Sequence, residues 1–183
     1  MRIRSLGRPA LALAAVLGFS NAAAAQGQTG PLALGPFVVA ADEPSYLDFA
    51  AGTFGTGPGH LAPDAATGRV ELRYGGKLYH IGPALGLLGN TRGGVFGYAG
   101  LYADLRLGDV VITPLAGLGG YHRGSGPDLG GTFEFRLSLA AAHEFADRSR
   151  LGLQYGHISN GGSHRRNPGE NEILVTYARP LGF

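Results

Sequence analysis

The residues best suited to chemistry lie in the segment 157–160, His-Ile-Ser-Asn, followed after a loop by Asn171 and Glu172. If this segment ends a strand, His157 and Ser159 project from the same face, because side chains alternate along a strand. A serine hydroxyl beside an imidazole, with an amide or carboxylate on the next strand, is the minimum set for a serine hydrolase. The same face also carries three apolar side chains, namely Leu151, Leu153 and Tyr155.

The chemistry of such a pair assigns a task to each residue. A serine hydroxyl is unreactive at neutral pH, and an adjacent neutral imidazole can take its proton. The backbone N–H groups of residues 160–162, Asn-Gly-Gly, can hold the oxyanion of a tetrahedral intermediate, since glycine permits close backbone approach. The sequence alone leaves the group that orients His157 open between Asn171 and Glu172.

The elements that position these residues are read from alternation of apolar and polar side chains. Residues 132–145 and 95–107 each have one apolar and one charged face. The inward set, which we expect to pair inside a narrow lumen, comprises Glu71, Arg73, Asp104, Arg106, Glu134 and Arg136. We predict eight strands, at about residues 45–54, 68–75, 78–88, 94–107, 110–121, 132–145, 150–160 and 172–183.

The connections between these strands alternate in length. Short turns at residues 76–77, 108–109 and 146–149 alternate with longer, glycine-rich loops at 55–67, 89–93, 122–131 and 161–171. An even number of strands, with short turns on one side and longer loops on the other, is typical of an outer-membrane barrel. A soluble sandwich also shows period-2 alternation, but it is not expected to sort its loops in this way.

The N-terminus and the composition support an exported barrel. Residues 1–25 have a basic start, a short apolar run and an Ala-Ala-Ala end, which predicts a cleaved signal peptide ahead of one domain at 26–183. The chain has 33 glycines among 183 residues, which argues against long helices, and it lacks the cysteines needed for disulfides. A net charge of +2 is too small to indicate nucleic-acid binding.

The pattern His-x-Ser-Asn-x-Gly at 157–162, then Asn-Pro-Gly at 167–169 and an acidic residue entering the last strand, resembles the lipid A 3-O-deacylase family of the bacterial outer membrane. A last strand that ends on Phe183 resembles the C-terminal signal of bacterial outer-membrane proteins. The family resemblance implies that His157 and Ser159 are catalytic and that Asn160 is needed for activity. It also implies that Gly162 contributes to the oxyanion hole.

The third catalytic position departs from the family pattern. The family has a Glu fourteen residues after the His, and that count falls on Asn171 here. Strand parity places Asn171 on the outward face and Glu172 on the inward face. We favour Glu172, because a carboxylate stabilises an imidazolium. This choice requires a bulge that turns Glu172 outward, and Asn171 is the alternative.

The sequence therefore predicts an eight-stranded antiparallel transmembrane β-barrel of the outer membrane. The resemblance implies an esterase that removes the 3-O-linked 3-hydroxyacyl chain of lipid A, with lipopolysaccharide as substrate and no cofactor. Arg165 and Arg166 are candidates for contact with lipid A phosphates. The alternatives are a non-catalytic barrel for adhesion or envelope integrity and an esterase acting on phospholipid. The five other histidines lack neighbours at metal-ligand spacing, and the oligomeric state, a homodimer included, stays open.

Overall fold

The computed structural model describes residues 30–56 and 64–182. The predicted signal peptide, residues 1–25, and the terminal Phe183 lie outside the described residues, so both expectations stay predictions. Within the described ranges, no helix is long and apolar enough to cross a membrane.

The described residues form eleven strands of a single antiparallel sheet. The alternation of apolar and polar side chains suits strands whose two faces meet different surroundings. In chain order, the strands are β1 (Leu32–Leu34), β2 (Phe37–Val39), β3 (Tyr46–Phe54), β4 (Ala65–Arg73), β5 (Gly82–Asn90), β6 (Val95–Tyr102), β7 (Leu105–Leu107), β8 (Val110–His122), β9 (Phe133–Glu144), β10 (Arg150–Ser159) and β11 (Glu170–Pro180).

Eight of these strands close into a barrel. The strands β3, β4, β5, β6, β8, β9, β10 and β11 follow one another around the sheet, and β11 pairs with β3 from Glu172↔Phe54 to Pro180↔Tyr46. Closure leaves these strands without the unpaired edge that an open sheet exposes. The prediction of an eight-stranded antiparallel barrel is confirmed.

The side chains are distributed inside out compared with a soluble protein. Outward residues such as Leu153 and Val175 are apolar and more than half exposed, at 61% and 55%. Inward residues are often charged and buried, and Arg69 forms ion pairs of 2.6 Å with both Asp48 and Glu71. An apolar outer band around a polar interior is typical of a transmembrane barrel.

The expected pairing of the inward charges holds only in part. Arg73 also forms ion pairs with Asp48 and Glu71, and Arg136 forms one with Glu172. Glu134 is fully buried, yet neither of its carboxylate oxygens has a hydrogen-bond partner among the described residues.

The start of β5 differs from the sequence prediction by four residues. Residues 78–81 form a tight turn closed by a Leu78–Ile81 bridge, so β5 begins at Gly82 instead of residue 78. Tyr79 and His80 have φ angles of 50° and 68°, the left-handed geometry of a two-residue hairpin turn. Glycine or asparagine usually marks such a turn, and neither residue is present.

The predicted strand 94–107 is interrupted between β6 and β7. At the interruption Asp104 turns inward, where it accepts a 2.6 Å hydrogen bond from Thr113 and pairs with Lys77 at 3.0 Å. The hairpin formed by β1 and β2, which the sequence does not predict, adds to the edge of β7. The turn at residues 78–81, the interruption and the hairpin all lie at the end of the barrel opposite the segment 157–160.

Candidate active site

The imidazole of His157 is held by an amide on the neighbouring strand. His157 on β10 and Asn171 on β11 are directly paired, and His157 Nδ1 lies 2.7 Å from Asn171 Oδ1. An amide oxygen can only accept a hydrogen bond, so this contact selects the tautomer in which Nδ1 is the donor. In the neutral ring of that tautomer the lone pair is on Nε2, the atom that a general base must present.

Glu172 points to the other face of β11. Its side chain is fully buried in the barrel, where it forms an ion pair with Arg136. Gly156, directly opposite on β10, makes room for it, since a Cβ there would lie 2.6 Å from Glu172 Oε1. The preference for Glu172 as the partner of His157 is therefore corrected: no bulge turns it outward, and Asn171 makes the contact.

The backbone of Asn171 is fixed by the turn that follows β3. Gly55 N–H and Thr56 N–H donate to the carbonyl oxygen of Asn171 at 2.9 Å and 3.2 Å. These donors directly follow β3, the other strand that flanks β11, so Asn171 is hydrogen-bonded on both sides. Sequence reasoning missed them, because Gly55 and Thr56 are remote from the motif and carry no catalytic group.

Ser159 lies on the same outward face as His157, two residues further along β10. Both side chains are half-buried, and within the described ranges no hydrogen bond joins Ser159 Oγ to His157. Such contacts are often long in a free enzyme and tighten only when substrate binds. On the adjoining β9, the exposed apolar side chains of Leu137 and Phe135 lie opposite His157 and Ser159.

Asn160 uses its side chain and its N–H to stabilise the loop between β10 and β11. Its side chain is fully buried, and Nδ2 donates to the carbonyl oxygens of Leu129 and Arg166 at 2.9 Å and 2.7 Å. Its Oδ1 accepts from Gly162 N–H at 3.0 Å, and its own N–H donates to Asn167 Oδ1 at 3.0 Å. Two of the three N–H groups expected to hold an oxyanion, those of Asn160 and Gly162, therefore already have acceptors.

Gly161 differs from its two neighbours in this turn. Its N–H makes no hydrogen bond within the described part of the chain, and its φ of 60° lies in the left-handed region that favours glycine. Gly161 is thus the residue of the turn whose donor is available. Arg165 and Arg166 are exposed further along the same loop.

Gly169, at the end of the same loop, lies next to the side chains of His157 and Ser159. A Cβ built on Gly169 would lie 2.9 Å from His157 Cε1, 3.2 Å from His157 Nε2 and 3.3 Å from Ser159 Cβ. The sequence shows this glycine within Asn-Pro-Gly, but nothing in the pattern indicates that it covers the two reactive side chains. The described residues contain no cluster of three or more His, Asp or Glu side chains that could hold a metal ion.

Comparisons with known proteins identify the family and the fold. A family model described as lipid A 3-O-deacylase (PagL) matches residues 59–180. The crystal structure of the outer membrane enzyme PagL is similar at 18% identity and a TM-score of 0.55, covering 74% of this chain and 99% of that one. A de novo designed transmembrane β-barrel is similar at 12% identity and a TM-score of 0.55, covering 75% and 95%. No curated protein matches the chain.

Proposed function

The chain belongs to the lipid A 3-O-deacylase (PagL) family, and from this membership we propose that it cleaves the 3-O-linked 3-hydroxyacyl ester of lipid A with Ser159 and His157. Membership makes it an ester hydrolase of the bacterial outer membrane.

The observation that carries the mechanism is the contact of His157 Nδ1 with Asn171 Oδ1 at 2.7 Å. It leaves Nε2 unprotonated on the face that carries Ser159, so the imidazole can take the serine proton. Ser159 Oγ then attacks the acyl carbon, and the protonated His157 returns the proton to the leaving sugar oxygen. Water then attacks the acyl carbon of the acyl-serine while His157 takes its proton, and His157 gives this proton to Ser159 Oγ as the fatty acid leaves.

The negative oxygen of the tetrahedral intermediate needs donors fixed beforehand. We assign this task to the turn of residues 160–162, in which the N–H of Gly161 is available. Gly162 and the buried Asn160 support the turn through the hydrogen bond between Gly162 N–H and Asn160 Oδ1. Asn160 is then required because it holds the turn in shape.

The position of the site suits a lipid substrate. His157 and Ser159 face outward beside Leu137 and Phe135, which are 59% and 39% exposed. An acyl chain lying along these side chains would bring its ester to Ser159 while staying in an apolar environment. Arg165 and Arg166 lie on the loop above, where guanidinium groups can bind the phosphates of lipid A.

Mass spectrometry of lipid A from cells that express the protein tests this function. We expect the wild type to remove one 3-hydroxyacyl group and Ser159→Ala to remove none, because the attacking oxygen is gone. Ser163→Ala is the matched control, since Ser163 is exposed in the same loop and its hydroxyl has a hydrogen-bond partner only in His164 among the described residues.

Two results would contradict the proposal. One is an unchanged lipid A spectrum from cells whose outer membrane contains the folded wild-type barrel. The other is full deacylation by Ser159→Ala, which would assign the nucleophile to another residue or to water.

A further inference from the structure

The hairpin of β1 and β2 exposes apolar side chains at one end of the barrel. Residues 31–41, which contain this hairpin, have no polar or charged side chain. Leu32 and Leu34 are 53% and 57% exposed, and Val38 is 39% exposed. Contiguous apolar surface of this kind is uncommon where a protein meets water, and it marks a site that contacts a membrane or another protein.

The local sequence accounts for the shape of the hairpin. Gly35 and Pro36 form the two-residue turn between the strands, and Gly35 has a φ of 58°. A positive φ at the first position of such a turn suits glycine, and the ring of proline fixes the φ of the second position. The turn sets the register in which Leu34 lies opposite Phe37.

The strand register joins one face of the hairpin to the outer face of the barrel wall. Directly opposed residues of antiparallel strands project from the same face of a sheet. One row of opposed residues crosses from β1 to β10, and its members are Leu32, Val39, Leu105, Ile112, Ala141 and Leu153. Leu153 is an outward residue of the barrel, so this face of the hairpin continues the outer apolar surface. The side chains that the hairpin contributes to this outward face are Leu32, Leu34, Phe37 and Val39.

The opposite face of the hairpin leads to charged groups instead. Val38 projects from this face and lies opposite Arg106 on β7. Arg106 turns inward and forms ion pairs with Glu43 and Glu144. The face that carries Val38 is therefore directed to the charged interior, whereas the outward face is continuous with the apolar wall.

The free edge of β1 limits how deep in a membrane the hairpin can lie. Within the described residues, β2 is the strand that pairs with β1, and the other edge of β1 has no partner strand. Open sheet edges do not occur in hydrocarbon, because their N–H and C=O groups find no water there. The hairpin also lies at the end of the barrel with the short turns, which faces the periplasm in outer-membrane barrels. These two conditions are met at the boundary between acyl chains and headgroups of the periplasmic leaflet.

We propose that the outward face of the β1–β2 hairpin binds the acyl chains of the periplasmic leaflet, so that the hairpin anchors the barrel to that leaflet. The partner is a lipid surface, because this face is in register with a wall that already contacts lipid. The free edge and the opposite face stay hydrated. This anchor is independent of the chemistry proposed for His157 and Ser159, which lie at the other end of the barrel.

Single tryptophans can report what covers each face, because the chain has no tryptophan of its own. Leu34→Trp places the indole on the outward face, and Val38→Trp places it on the opposite face of the same hairpin. Leu107→Trp reports the barrel wall, since Leu107 lies on the outward face of β7 and is 46% exposed. The purified protein is reconstituted in phosphatidylcholine vesicles with brominated acyl chains, and its fluorescence is compared with that in vesicles without bromine.

Bromine on the acyl chains quenches an indole that touches them. We expect similar quenching of Leu34→Trp and Leu107→Trp, and about threefold weaker quenching of Val38→Trp, because the outward face contacts lipid. Acrylamide dissolved in the water should quench Val38→Trp more than Leu34→Trp. Val38→Trp also controls for the preference of tryptophan for membrane interfaces, since that preference acts at both positions. Leu32→Trp is a second reporter on the outward face, and the mobility of unheated samples on denaturing gels checks folding.

Three outcomes would overturn the inference. Quenching of Leu34→Trp by acrylamide but not by bromine would place the hairpin in water. Protection of Leu34→Trp from both quenchers would mean that protein, such as a second copy of this chain, covers the outward face. Equal quenching of Leu34→Trp and Val38→Trp by bromine would show that the hairpin has no distinct lipid-facing side.

Discussion

Asn171 holds His157 by a single hydrogen bond of 2.7 Å, and an amide does less for an imidazole than a carboxylate does. Both groups accept from Nδ1–H and so fix the tautomer and the direction of the ring. Only a carboxylate also stabilises the positive charge that the ring gains during attack. In this chain the ring is therefore oriented by a neutral group.

Asn171→Ala should lower kcat by about 100-fold, because the ring loses the contact that directs Nε2 toward Ser159. Initial rates of lipid A deacylation in detergent micelles measure the effect. A folded Asn171→Ala protein that keeps its wild-type kcat would show that the backbone alone positions the imidazole.

Asn171→Asp is the informative companion variant. It keeps the accepting oxygen and adds a negative charge, which stabilises the positive charge that the ring gains during attack. The kcat for lipid A deacylation, measured in the same detergent micelles, should therefore be retained or increased. A folded Asn171→Asp protein as slow as Asn171→Ala would mean that residue 171 does not act through its hydrogen bond to His157.

Strand parity and chemical preference gave opposite answers for this residue. The spacing of fourteen residues from His157 and the alternation of side chains both select Asn171. The chemical preference for a carboxylate beside an imidazolium selects Glu172. The register pairs His157 with Asn171, so geometry decides the contact. Gly169 could not be predicted in the same way, because its position depends on how the loop folds back and a glycine has no side chain to suggest a role.

The loop between β10 and β11 follows the reactive residues His157 and Ser159 and carries two exposed arginines. Asn160 anchors it from below through Leu129 and Arg166, while the side chains of Arg165 and Arg166 stay exposed. Because Asn160 fixes the loop, the exposed guanidinium groups of Arg165 and Arg166 can bind phosphates without displacing His157 and Ser159.

Arg165→Ala combined with Arg166→Ala should raise KM for lipid A by about tenfold, which is equivalent to about 1.4 kcal/mol, with little change in kcat. The difference from the wild type should shrink at high ionic strength, since exposed charges are screened. Arg179→Ala is the control, because Arg179 is an exposed arginine at the opposite end of the barrel. Equal KM values for the double variant and the wild type would remove phosphate binding from this loop.

At the scale of elements, alternation located the eight barrel strands but not their interruptions. The break at Asp104 arises because its carboxylate turns to Thr113 and Lys77, which are distant in sequence. The hairpin of β1 and β2 is three residues long on each side and depends on the edge of β7, which a local pattern does not reveal. Short elements that depend on tertiary contacts leave little signal of their own.

At the scale of the whole molecule, the barrel wall carries most of its charged side chains on the inner face and most of its apolar side chains on the outer face. The alternation of side chains predicted this distribution, because it assigns each residue to the inner or the outer face of the wall. It does not predict which inward side chains contact each other across the lumen. The pair of Arg136 and Glu172 illustrates the difference, since both are inward by parity but join strands that are not neighbours. The pair lies on the inner face of the wall, and His157 and Asn171 lie on the outer face.

This buried pair allows the structural role of Glu172 to be separated from a catalytic one. Arg136→Met leaves the carboxylate of Glu172 buried without its partner, and removing one member of such a pair costs about 3–5 kcal/mol. We expect the free energy of unfolding, measured with urea on protein refolded in detergent, to fall by about this amount. A change of less than 1 kcal/mol, on the order of a surface pair, would mean that water reaches and solvates the lumen at this depth.

The double variant Arg136→Met with Glu172→Leu removes both charges of the buried pair. Replacing both charges by apolar groups of similar volume is often neutral or stabilising, so most of the lost stability should return. Because the carboxylate of Glu172 does not contact His157, the double variant should also deacylate lipid A at close to the wild-type rate. A stable double variant without activity would show that the interior charge acts on the outward-facing pair through the barrel wall, and Glu172 would then belong to the catalytic apparatus after all.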